Sequence, residues 1–145
     1  MDPELRSRRA QRLAALFDRA PMKHTFNMAL SFDADGRARF EMPHQREFEH
    51  GLKDTHGGVI ATLLDNAGWF TAAVHYDTWI NTAEMTVRLH EPANREALVA
   101  VGTMVRAGGK LAVTTMEVRS ASGRLVATGS ASFVVSTRTI DSASP

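Results

Sequence analysis

Hydrophobic and polar positions divide the chain into eight predicted elements. Residues 1–24 form an N-terminal helical segment, in which Asp2 can cap the helix, Pro3 suits its first turn and Pro21 ends it. Residues 57–74 contain only four polar side chains and predict a helix that is buried on nearly all sides. Short apolar or alternating runs predict six strands, over residues 25–33, 37–42, 80–91, 97–106, 110–119 and 124–136.

The turns between these strands indicate how they pair. Asp-Ala-Asp-Gly at 33–36 favours a hairpin, Gly-Gly at 108–109 and Ser-Ala-Ser-Gly at 120–123 favour two more, and the polar residues 43–55 predict a loop. Four successive strands joined by short turns imply an antiparallel sheet, against which the apolar helix must be buried. We therefore expect an α+β fold with a curved antiparallel sheet wrapped around a long central helix. Its uncovered face and edge favour dimerisation.

Composition fits one globular domain with three parts: an N-terminal helix (1–24), a main domain (25–136) and a flexible tail (137–145). The 145 residues are 43% hydrophobic and 23% charged. The absence of cysteine excludes disulfides, thiolate zinc sites and cysteine nucleophiles. No apolar run reaches the roughly 20 residues that cross a bilayer, and the N-terminus lacks a secretory pattern. We expect a cytoplasmic protein without a membrane partner.

The net charge of +1 is unevenly distributed. Residues 1–24 carry six Lys or Arg and three Asp or Glu. Such a segment could attract phosphates, but it has neither interleaved aromatic residues nor a DNA-reading motif. We interpret it as a solvated helix face and expect no nucleic-acid partner.

Asp65 is the first candidate for chemistry, because it lies in the middle of the apolar helix, where an unpaired carboxylate is costly. Its neighbours on the helix surface are Ala61, Thr62, Gly68 and Trp69, and the small ones leave room for a ligand or another backbone. Two structural alternatives stay open. The carboxylate could be satisfied by backbone donors or by a lysine or arginine elsewhere, and the small residues could serve helix–sheet packing alone.

Gly57 and Gly58 begin the same helix, where free amides and the helix dipole stabilise an oxyanion. The alternative is a turn that simply needs glycine. Gly58 and Asp65 are seven residues apart, about 10 Å along the axis. One small reacting carbon cannot touch both, so that either two subunits share the site or the substrate spans the gap.

His56 could orient a substrate or transfer a proton, or it could merely cap the helix. Thr82 lies on the strand face predicted to carry Glu84, Thr86 and Arg88, and strand propensity alone explains it. The histidines show no metal-ligand spacing, and no phosphate loop, nucleophile elbow or dinucleotide fingerprint is present. We expect neither a metal nor another cofactor.

The chain resembles the hotdog-fold acyl-CoA thioesterases of the phenylacetate-pathway type (PaaI-like, similar to 4-hydroxybenzoyl-CoA thioesterase). The resemblance extends over residues 25–136 in order and spacing. Its main motif is His-Gly-Gly at 56–58 followed directly by residues 59–65. The other matching positions are Thr82, Glu-Pro-Ala at 91–93, Gly-Gly-Lys at 108–110 and residues 123–129.

The resemblance implies dimers or tetramers of hotdog subunits that hydrolyse acyl-CoA between subunits. Asp65 would be the catalytic carboxylate, as general base or as nucleophile. A main-chain N–H of Gly57 or Gly58 would polarise the thioester carbonyl, and His56 would position the thioester. Thr82 would hold the water or the substrate. His50, a substrate-binding position in this resemblance, stands where many relatives carry Asn or Gln.

Two other functions stay open. In a non-catalytic acyl-CoA or small-ligand binding protein, His50 would have abolished the chemistry. A hydratase would need a second acid or base paired with Asp65, and the sequence indicates none.

Overall fold

A six-stranded antiparallel sheet that wraps around one buried helix forms the body of the protein, as predicted. The computed structural model describes residues 1–140. The strands follow one another across the sheet in the order β1-β2-β4-β5-β6-β3. The elements are α1 (Pro3–Asp18), α2 (Pro21–Phe26), β1 (Ala29–Phe32), β2 (Ala38–Met42), a short 3-10 helix (Arg46–Phe48), α3 (Gly57–Ala73), β3 (Thr78–Leu89), β4 (Leu98–Ala107), β5 (Leu111–Ser120) and β6 (Leu125–Thr139).

Helix α3 is the centre of the core, and its bounds agree with the predicted helix to within one residue. Leu63, Leu64 and Ala67 are fully buried. The helix lies closest to β4 at Gly102, which stands against the Ala67 carbonyl and Thr71. Within residues 1–140, no helix combines the length and the hydropathy needed to cross a membrane.

The N-terminal segment differs from its prediction, because it forms two helices instead of one. Helix α1 ends at Asp18, and Pro21 begins α2, since the first position of a helix needs no N–H donor. Asn27 then ends α2 in the left-handed conformation, with φ of 51°. The predicted strand over 25–33 is therefore wrong at its start, and only Ala29–Phe32 pairs with β2.

Two arginines of α1 anchor it to the end of α3. Arg9 forms an ion pair with Asp77 and donates to the Val74 carbonyl at 3.4 Å, and Arg12 donates to the Tyr76 carbonyl at 3.2 Å. A cation is favourable near the negative end of a helix. The interpretation of this segment as a solvated face is therefore wrong for these two arginines.

The C-terminal end of the sheet also differs from its prediction. Residues 137–139 belong to β6, in which Thr139 is the register partner of Thr78, so that the strand extends three residues beyond its predicted end at 136 and into the segment predicted as a tail. Ile140 is buried. The rest of the predicted tail, residues 141–145, lies outside the described residues.

Candidate active site

The carboxylate of Asp65 accepts a hydrogen bond from the Thr82 hydroxyl, with 2.9 Å between Thr82 Oγ1 and Asp65 Oδ1. Burial raises the pKa of Asp65, and the hydrogen bond from Thr82 offsets part of that rise. No ion pair to Asp65 occurs among residues 1–140, so that an internal cation does not neutralise it there. A lysine or arginine partner, which is one part of the first structural alternative, is therefore not found there.

A β-bulge in β3 brings Thr82 to the helix. Thr82 is the register partner of Phe133, whereas Glu84 is that of Ser132, so that Ala83 is an extra residue in β3. The extra residue moves the next side chains to the opposite face. Phe133 is buried, so Thr82 shares the inner face with it. The predicted face that groups Thr82 with Glu84 is therefore wrong.

Asp65 and Thr82 open onto an apolar cavity of about 690 Å³. This volume lies within the range of small-molecule sites, roughly 300–1,000 Å³. Its only charged lining residues are Asp65 and Arg19. The others are Leu16, Phe17, Ala20 and Met22 from the N-terminal segment, Asn66, Trp69 and Phe70 from α3, and Trp79, Ile80, Asn81 and Thr82 from β3.

The beginning of α3 forms a second group of polar atoms. His56 is the N-cap, and its Nδ1 accepts from the Gly58 amide at 2.9 Å. The neutral ring then carries its proton on Nε2, which is free to donate outward because the side chain is exposed. The Gly58 amide is used in this cap, and the Gly57 amide, the first of the helix, has no intrahelical acceptor. Of the two predicted oxyanion donors, the geometry favours Gly57.

His50 lies on the loop that leads to α3, and its side chain is exposed. Its Nδ1 accepts from the Leu52 amide at 3.1 Å. The same loop is fixed by Asp54, which accepts from the amides of Asn94 and Arg95 at 2.9 and 3.1 Å. Partial burial by itself would raise the pKa of Asp54, but these amide donors lower it overall. The loop is therefore held firmly against the β3–β4 connection.

Within one subunit, the predicted site residues fall into two groups. Asp65 and Thr82 meet at the cavity, whereas His56, Gly57 and Gly58 meet at the beginning of α3. Gly57 precedes Asp65 by eight residues, or about 12 Å along the helix. His50 does not line the cavity. Among residues 1–140, no three His, Asp or Glu side chains are grouped as metal ligands.

The family model of the thioesterase superfamily matches residues 52–127, which is just over half of the chain. The chain belongs to the thioesterase superfamily. This match includes the beginning of α3, Asp65 and Thr82. It does not include α1 and α2, so that the superfamily pattern leaves one wall of the cavity undefined.

Several solved structures have the same fold. A thioesterase family protein from Silicibacter pomeroyi is 26% identical, with a TM-score of 0.81 over 86% of this chain and 96% of that one. PaaI from the phenylacetic acid degradation operon of E. coli is 15% identical, with a TM-score of 0.81 over 94% and 97%. A Haemophilus influenzae thioesterase is 15% identical, with a TM-score of 0.79 over 88% and 90%. No curated protein sequence matches the chain.

Sequence reasoning missed most of the cavity. Trp79 precedes the predicted strand over 80–91, and Met22 follows Pro21, at which the predicted N-terminal helix ends. Neither position carries a local pattern that indicates a ligand. Only the bulge in β3 and the break between α1 and α2 bring these side chains together around Asp65.

Proposed function

We propose that the protein hydrolyses acyl-CoA thioesters to the free acid and coenzyme A, at a site shared by two subunits. The observation that carries this proposal is Asp65: a carboxylate with a raised pKa and a hydroxyl partner, at an apolar cavity, with no ion-pair partner among residues 1–140. Membership of the thioesterase superfamily supports thioester hydrolysis in general. The CoA substrate, the oligomer of two or four subunits and the cytoplasmic location are parts of the proposal.

In the proposed reaction, Asp65 acts as general base. Water bound between Asp65 and Thr82 loses a proton to the carboxylate and attacks the thioester carbonyl carbon. The C–S bond of the resulting tetrahedral intermediate then breaks. The acid leaves with its new oxygen atom, and the thiolate of CoA takes up the proton from Asp65. Direct attack by the carboxylate, through an anhydride that water then opens, is the alternative within the same function.

The carbonyl oxygen needs donors where negative charge develops. The Gly57 amide and the Nε2–H of His56 supply two donors at the positive end of α3. A well-placed donor of this kind contributes about 2.7–4 kcal/mol to the catalytic step. These donors lie too far along α3 to serve Asp65 of the same subunit, which supports a site completed by a second copy.

Strand β3 supports the pairing of two copies, because it is the edge of the sheet and is 12 residues long. An exposed edge of this length is a template for pairing with another strand. Antiparallel pairing of two β3 edges would continue the sheet and place the two α3 helices side by side. Asp65 of one copy could then approach the beginning of α3 in the other.

Thiol release from a panel of acyl-CoA thioesters tests the function directly. The chain contains no cysteine, so that every thiol detected comes from CoA. We expect turnover by the wild-type protein and its loss in Asp65→Asn. Binding of a non-hydrolysable acyl-CoA analogue without any thiol release would instead favour the non-catalytic binding protein.

The pH dependence provides a separate prediction for Thr82. The hydrogen bond from the Thr82 hydroxyl lowers the pKa of Asp65, whereas burial raises it. Thr82→Val removes the hydroxyl and leaves only the effect of burial, so that the pKa of Asp65 rises further. Because the ionised carboxylate is the base, the acid limb of kcat/KM should move to higher pH than in the wild type. Thr82→Ser should restore the wild-type profile. An unchanged acid limb in Thr82→Val would contradict the role assigned to this hydrogen bond.

A further inference from the structure

The apolar cavity has one wall that comes from the N-terminal helices. Leu16, Phe17 and Ala20 belong to α1 and the link after it, and Met22 belongs to α2. The rest of the lining comes from α3 and β3, where the rings of Trp69 and Trp79 lie 4.7 Å apart between centroids. Asp65 belongs to this part of the lining. A group that fills the cavity with its reacting end at Asp65 would therefore contact side chains of the N-terminal wall.

The N-terminal wall is fixed in place. Phe17 is 2% exposed and packs edge-to-face on Phe70, with 5.5 Å between ring centroids. Arg9 and Arg12 tie the same helix to the end of α3 through Asp77 and backbone carbonyls. Ala20 lies in the link that follows this anchored helix and Met22 in the first turn of α2, and both are partly buried against the core. The cavity thus has a defined size, and small changes in this wall should alter it.

The chemistry of the lining indicates which acyl groups fit. A volume of about 690 Å³ greatly exceeds what an acetyl group fills, and most of the lining is aliphatic or aromatic. Arg19 is the only cationic lining residue, and it is exposed. An acyl group with a carboxylate of its own would have to bury that charge among these rings. An ion pair with an exposed guanidinium is weak, so Arg19 would offset little of that cost.

We propose that the N-terminal wall determines acyl-group specificity, that Ala20 sets the size of the acyl group, and that the preferred class is bulky and uncharged. This inference rests on the proposed thioesterase function. The superfamily match begins at residue 52, so that this wall lies outside the matched pattern. Each methylene buried in the cavity should contribute a factor of about four to kcat/KM.

The test compares three CoA thioesters: acetyl, hexanoyl and adipoyl, the last being hexanoyl with a terminal carboxylate. For the wild type, the four additional methylenes predict a kcat/KM for hexanoyl-CoA on the order of 10²-fold above that for acetyl-CoA. We expect it to exceed the value for adipoyl-CoA by about tenfold or more. In Ala20→Phe the added ring occupies the cavity, so that kcat/KM for hexanoyl-CoA should fall about tenfold while that for acetyl-CoA stays within about twofold. Ala15→Phe, the same change at an exposed position of α1, should leave both values unchanged.

A binding measurement separates this inference from the proposed function. Trp69 and Trp79 are the only tryptophans in the chain, and both line the cavity. Hexanoyl-CoA added to Asp65→Asn should change tryptophan emission, and combining Ala20→Phe with Asp65→Asn should weaken this binding about tenfold. Equal kcat/KM for acetyl- and hexanoyl-CoA, a preference for adipoyl-CoA, or no effect of Ala20→Phe on either readout would overturn the inference. Binding that follows these expectations without any thiol release would overturn the hydrolytic function alone.

Discussion

Asp65→Asn is expected to reduce kcat by about 10²–10⁴-fold, which is the usual contribution of a general base. The amide has nearly the size of the carboxylate, and its oxygen can still accept the hydrogen bond from Thr82. Substrate binding should therefore change little, so that the loss falls on kcat and not on KM. Thiol release under saturating acyl-CoA measures this loss. A variant with wild-type kcat would show that Asp65 is not the base.

The same substitution should make the protein more stable at neutral pH. Burial raises the pKa of Asp65 in the folded state, so that the folded state holds this proton more tightly than the unfolded chain does. The free energy of unfolding therefore falls as the pH rises from the pKa of Asp65 in the unfolded chain to its higher pKa in the folded protein. At every higher pH it stays below its value in acid. Asp65→Asn removes this loss, and its Tm at neutral pH should exceed that of the wild type.

Asp54→Asn is the matched control for this change in stability. Its carboxylate accepts amide hydrogen bonds across the loops, and these lower its pKa in the folded state. The charged form of Asp54 therefore stabilises the fold above its unfolded pKa, and this stability is lost as pH falls through the folded value. Removing the charge should lower Tm at neutral pH, in the direction opposite to Asp65→Asn. Equal signs for the two variants would contradict the assigned pKa directions.

Gly102→Ala is expected to have the largest effect on stability. A Cβ at this position would overlap the Ala67 carbonyl of α3 and Thr71 Oγ1. That hydroxyl oxygen accepts a buried hydrogen bond from the Ala38 amide at 2.9 Å, so it cannot move aside freely. Overpacking of this kind costs about 1–3 kcal/mol, and contact with backbone places it at the upper end.

Thermal unfolding measures this effect, and we expect Tm to fall by about 3–10 °C. Gly109→Ala is the control, because a Cβ there meets no atom within 4 Å. It should leave Tm nearly unchanged. If Gly102→Ala were as stable as the wild type, the close approach between α3 and β4 would not be a constraint on the fold.

The parts predicted correctly are those in which one periodic pattern decides the structure. Helix α3 follows from an apolar run with few polar residues, and β4, β5 and β6 follow from alternation between glycine-containing turns. Alternation fails in β3, because the extra residue Ala83 reverses the side-chain faces and the sequence around it has no mark of a bulge. Its consequence, the contact between Thr82 and Asp65, depends on pairing with a strand about 50 residues further on.

The site was predicted in its residue types but not in its surroundings. A carboxylate within an apolar helix and two glycines at the beginning of that helix are local signals. The cavity wall formed by Ala20 and Met22 is a tertiary feature, because it depends on how arginines of α1 meet the end of α3. The separation of Gly58 from Asp65 follows from helix geometry alone, whereas the pairing of Thr82 with Asp65 does not.

Subunit complementation tests most directly the central claim that one subunit supplies Asp65 and another supplies His56 and Gly57. Asp65→Asn and His56→Asn are both expected to be inactive alone, and asparagine is itself a good N-cap that can replace His56 in capping α3. After equal amounts are unfolded and refolded together, half of the dimers contain one copy of each variant, and each of these has one site with both wild-type groups. We expect recovery to about a quarter of wild-type activity, because a quarter of all sites then contain both wild-type groups. Activity that stays at the level of the two parents would contradict a site shared between subunits.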